Sequence, residues 1–161
     1  MKKFIYIFII YILSINNLSA LIEVDITRGN LDPLPIAISP LHVDIKSEKY
    51  KDLNIKELGD KISGIIEKNF RNTGLFNPLK KDAFVQKPDI AHLKPRFEDW
   101  RLIKAQALVT GKLLVKDGKL KVEFRLWDLT AAQEMTALAF TTTPSNWRRV
   151  AHIISDKIYE R

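Results

Sequence analysis

The chain of 161 residues has no cysteine, so thiol catalysis, CxxC redox chemistry and cysteine-ligated zinc are excluded. Glycine is scarce, six in all, and none falls in a phosphate-binding frame. Gly111-Lys112 lacks the rest of GxxxxGK[ST] and reads as a strand glycine, and neither GxGxxG nor GxSxG occurs. The three histidines, His42, His92 and His152, are scattered with no i, i+4 pair and no HExxH, so zinc hydrolysis is unsupported. Glu23 and Asp25 share a face of a terminal strand, which suits solvation better than acid–base work. These gaps point to a protein that is not an enzyme and holds no metal or cofactor.

Charge is present but not concentrated. The formal net charge is +7; Lys2 and Lys3 belong to a leader, and the remaining 24 basic against 19 acidic residues leave +5. That excess is a weak pointer to an anionic surface such as lipid headgroups. No dense basic cluster of the kind that neutralises many phosphates is present, and nucleic acid is not an expected partner.

The amino terminus, Met1-Lys2-Lys3 followed by the apolar run Phe4 to Leu13 and the polar-tinged Ser14 to Ala20, has the layout of a secretory signal peptide over residues 1–20, cleaved after Ala20. The run is too short to span a bilayer comfortably; the rival reading is an uncleaved anchor. Either way the domain is exported, and in a cell with two membranes that places it in the periplasm. Residues 21–34 read as an extended arm. Leu21-Ile22-Glu23-Val24-Asp25-Ile26 alternates as a strand, broken by Arg28-Gly29-Asn30, either as an ordinary first strand or as a terminal arm that pairs with another protein.

The domain proper, residues 35–161, is organised around Ala105 to Thr143. Asp117-Gly118 forms a two-residue hairpin turn. After it Leu120, Val122, Phe124 and Leu126 alternate with Lys119, Lys121, Glu123 and Arg125. Ala105 to Val115 is apolar almost throughout, a strand covered on much of both faces, and Glu134 to Thr142 completes a meander. Upstream, Ile36-Ala37-Ile38 is a short buried strand amid Pro33, Pro35 and Pro40, which favour sheet edges. Leu53 to Asn72 is a helix with an Asn54/Glu57 capping pair, an apolar stripe of Ile55, Leu58, Ile62, Ile65, Ile66 and Phe70, and Gly74 as its stop. Ala83 to Pro95 reads as surface connection and Phe97 to Lys104 as a short helix placing Trp100 under the sheet. Thr143-Pro144 starts a last helix along Trp147, Val150, Ile154 and Ile158. All three tryptophans read as core.

Several of these segments coincide with one family. Phe70-Arg71-Asn72-Thr73-Gly74-Leu75-Phe76-Asn77-Pro78-Leu79, Trp100 leading into Ala107 to Lys112, the Val122 to Asp128 strand, and Trp147 to Asp156 resemble the amino-terminal domain of TolB, over essentially residues 21–161. The resemblance implies an α/β fold of α+β type: two layers, with a mixed sheet ending in a meander and packed by two long helices. It also implies a periplasmic, non-enzymatic adaptor of the Tol-Pal system, which supports outer-membrane integrity and cell division. In that family the extreme amino terminus binds the carboxy-terminal domain of TolA, which places a binding arm at Leu21, Ile22, Glu23, Val24, Asp25, Ile26, Thr27, Arg28 and Gly29. Pal is bound by a six-bladed propeller that follows the domain and lies outside this sequence. Glu23 and Asp25 stand where the family arm alternates basic and apolar residues, so the partner surface differs in charge.

Overall fold

The computed structural model describes residues 32–161. The leader and its cleavage point at Ala20 lie outside those residues. The sheet grows from the hairpin outward. β4 (Ala107–Lys116) and β5 (Lys119–Asp128) pair antiparallel from Ala107 opposite Asp128 to Lys116 opposite Lys119. Asp117 and Gly118 both take positive φ, 50° and 67°, the backbone a right-twisting two-residue turn requires. Leu120, Val122 and Phe124 are fully buried and the charged alternates face the other way, so a slip of one residue would drive Lys or Glu into the core. β6 (Gln133–Thr142) adds antiparallel to β5, with a bulge at Leu126/Trp127.

On the other side of β4 the pairing turns parallel. β1 (Leu34–Ile38) runs beside β4, and β3 (Phe76–Pro78) beside β1, giving the order β3-β1-β4-β5-β6. The short β2 (His42–Val43) pairs with β4 further along, at Lys112 and Leu113, after Ser39 to Leu41 break the line of β1. Pro35 thus sits in an interior strand, not at the expected edge. Its carbonyl accepts the Gln106 N–H at 2.9 Å on the β4 side, one residue before β4 begins, so its missing donor falls where there is no ladder to lose. Pro78 does lie on the edge strand, β3.

Two long helices cover one face. α1 (Leu58–Thr73) buries Leu58, Ile62, Ile66 and Phe70 and stops at Gly74 with φ 69°. The expected Asn54/Glu57 cap does not form. Ile55–Glu57 is a 3-10 turn, Glu57 is already helical, and Asn54 therefore stands a turn too early to reach the first free amides of α1. Downstream, α2 (Pro88–Ala91) and α3 (Phe97–Leu102) are short, and α4 (Trp147–Tyr159) is the second long helix. Pro144 opens a 3-10 turn ahead of α4, and the Thr143 hydroxyl lies 3.1 Å from Ser145 Oγ instead of capping the helix. With β1, β4 and β5, α1 and α4 enclose the main core. Each large aliphatic side chain there contributes about 1.5–3 kcal/mol.

The other face is covered at one end only, by the strap 79–105. Trp100, Trp127, Ala37, Ala91, Leu108 and Leu129 form a smaller core. Here the reading of Ala83 to Pro95 as surface is corrected: Gln86 is 3% and Ala91 0% exposed. Trp100 Nε1 and the Arg96 N–H both donate to Gln86 Oε1 at 3.0 Å, so this buried amide ties the strap together. Trp127 Nε1 donates to Thr110 Oγ1 at 2.9 Å. All three tryptophans are buried, as their sequence context suggests.

The two helical glycines separate cleanly. A Cβ on Gly59 would lie 1.9 Å from the Leu41 carbonyl oxygen, so close approach of α1 to the chain between β1 and β2 requires glycine there. A Cβ on Gly64 would meet nothing within 4 Å. In urea unfolding, Gly59→Ala is therefore expected to destabilise by about 1–3 kcal/mol, while Gly64→Ala stabilises by about 0.5–1 kcal/mol. Equal effects from the two would contradict this packing.

Candidate functional site

The arm predicted to bind a partner, Leu21 to Gly29, lies outside the described residues. Its point of attachment is described: Asp32 and Pro33 are exposed, and the chain passes from them directly into β1. That strand is held on both sides, by β3 and β4.

Among the described residues no group of three or more carboxylates or histidines is placed to hold a metal ion. One polar cluster bridges the two long helices. Asn69 Nδ2 on α1 donates to Ser155 Oγ at 2.9 Å and to His152 Nδ1 at 3.0 Å, both on α4. Ser155 Oγ donates in turn to the Ala151 carbonyl, so its proton is turned away from His152. The trio is a clamp between helices and not a nucleophile with its base.

A second cluster joins residues fifty positions apart. His42 on β2 and His92 at the end of α2 stack with ring centroids 4.4 Å apart and planes within 5°. Local spacing, the signal sought in the sequence, carries no trace of this pair, because the fold and not periodicity brings them together. Burial is the main cause that lowers the His42 pKa, with His92 and Lys112 acting in the same direction and Asp89 and Asp44 against it.

The open part of the second face is charged but internally matched. Lys121 Nζ approaches Glu123 at 2.6 Å and Lys112 Nζ at 3.5 Å, and Arg125 lies 3.7 Å from Glu134. The hydrogen bond from Lys121 holds the Glu123 carboxyl below its ordinary range, with burial opposing and Lys112 assisting. Beyond this face β6 runs for ten residues and, among the described residues, pairs on one side only. What these surfaces offer is packing, hydrogen bonding and strand pairing.

Comparison with known proteins agrees with this picture. The family model described as the TolB amino-terminal domain matches residues 22–135. A Tol-Pal system protein TolB from Pelagibacter ubique (strain HTCC1062) is 64% identical over 158 residues, which are 97% of this chain and 35% of that protein. The chain thus spans about a third of the length of that curated relative. Among solved structures, TolB from Acinetobacter baumannii superposes with a TM-score of 0.63 at 20% identity, covering 80% of this chain and 28% of that one. Lipoprotein GNA1162 from Neisseria meningitidis shares the fold at a TM-score of 0.52 and 12% identity, covering 80% of this chain and 96% of its own.

The clamp between the helices has a measurable weight. Asn69→Ala removes both donors and leaves the buried Ser155 with one partner fewer, so denaturant unfolding is expected to show a loss of about 1–2 kcal/mol. An unchanged midpoint would mean that α1 and α4 are held by their apolar contact alone.

Proposed function

The chain belongs to the TolB amino-terminal domain family, and from that premise we propose that it acts in the periplasm as a non-enzymatic adaptor of the Tol-Pal system. It binds the carboxy-terminal domain of TolA through Leu21 to Gly29 and so supports outer-membrane integrity and cell division. The observation that carries this reading is the span of the family match, residues 22–135, which takes in all of the arm but Leu21 together with the domain as far as the start of β6. The name of the 64% identical relative, a Tol-Pal system protein, supports the system to which the adaptor belongs. Pal, which the resemblance assigns to a propeller, is not a proposed partner of this domain.

Strand addition supplies the mechanism. Backbone N–H and C=O groups of the arm complete the edge of the partner's sheet, while Ile22, Val24 and Ile26 fill alternate pockets and Glu23 and Asp25 meet solvent or a basic rim. The carboxylates set among the cations of the open sheet face weigh against the competing reading, an anionic-surface binder, because Glu123 engages both Lys112 and Lys121 and Glu134 lies beside Arg125.

Deleting Leu21 to Arg28 is expected to leave the circular dichroism and unfolding midpoint of the domain unchanged and to abolish TolA binding in titration calorimetry. Retained affinity would remove the arm from the mechanism. A salt series separates the two readings, since phosphate-driven binding weakens steeply with salt whereas a strand-addition contact changes little.

A further inference from the structure

We propose that the His42–His92 stack is an acid-sensitive latch: with a neutral His42 ring the stack holds α2 against β2 and β4, and a proton on His42 weakens it and frees the strap from Pro88 to Pro95.

The geometry favours a switch over a metal site. With planes 5° apart and centroids 4.4 Å apart, the ring nitrogens of the two histidines run parallel and do not converge on a common point. His92 Nδ1–H donates to the Pro88 carbonyl at 2.9 Å, which folds the ring back over α2 and leaves its face for His42. The stack therefore joins the outer turn of the strap to the strand that continues the line of β1 along β4.

The charged groups around the pair are of both signs. His42 is influenced by Asp44 beside β2, Asp89 on α2 and Lys112 on β4. His92 lines a small cleft with Lys112 of β4 and with Glu123 and Arg125 of β5. Glu123 is already engaged by Lys121 and Lys112. A cationic His42 ring is thus favoured by Asp89 and Asp44 and opposed by burial, by His92 and by Lys112.

The sign follows from linkage. Burial and its neighbours lower the His42 pKa from 6.5, so the opened state binds more protons than the closed one between 6.5 and that lowered value. Stability of the closed strap is full above 6.5 and is lost as pH falls through this window. Histidine is the side chain suited to such a range.

Amide exchange followed by mass spectrometry on the full chain tests the latch, with rates corrected for intrinsic exchange. Between about pH 7.5 and about pH 5.5, protection of residues 89–94 is expected to fall about two- to fivefold while the β4–β5 hairpin keeps its protection. His42→Phe keeps a stacked ring that cannot take a proton and is expected to lose the acid response; His42→Tyr serves the same purpose should the first variant fold poorly. Equal wild-type protection at the two pH values, or a fall of the same size in the His42 variants, would overturn the proposal.

Discussion

A six-stranded sheet has two faces, and the described residues hold two long helices, enough to cover one of them. Everything else in the domain is an answer to that shortage. Leu120, Val122 and Phe124 point to the covered side, where α1 and α4 lie, and the charged residues between them point to the side left open. Where the second face is apolar, around Ala37, Leu108 and Trp127, the strap closes it with a small tryptophan-rich core. Where no strap reaches, the face carries Lys112, Lys121, Glu123 and Arg125, which need water and one another. The domain is thus dry on one side and divided on the other.

Periodicity made the first of these sides readable in the sequence. A strict period of two around Asp117-Gly118 fixes both the hairpin and its register, and a helical period ending in Gly74 fixes α1. Asn54 and Thr143 do stand at the N-cap, but both long helices are entered through 3-10 turns, at Ile55–Glu57 and Pro144–Asn146, and neither side chain makes a capping hydrogen bond there. Pro35 misled because proline is excluded from a sheet by the direction of its missing donor, and direction is decided by where the neighbouring strand begins. The burial of Gln86 and Ala91 had no pattern to announce it, since a strap with little regular structure has no period.

The candidate sites divide in the same way. The arm is a local pattern, alternating and proline-flanked, and it could be picked out from the residues even though it lies outside the described part of the molecule. The stack of His42 on His92 and the tie from Asn69 to His152 and Ser155 join residues 50 and more than 80 positions apart, and only the folded chain reveals them. A search for metal or catalytic spacing looks along the chain. Contacts between elements run across it.

The place of β1 in the sheet has a mechanical consequence. The strand is flanked on both sides by parallel neighbours. A pull along its axis is therefore carried as shear along two rows of hydrogen bonds, instead of peeling them one after another. Such an attachment resists tension well, and makes this end of the domain a sound anchorage for a load-bearing link.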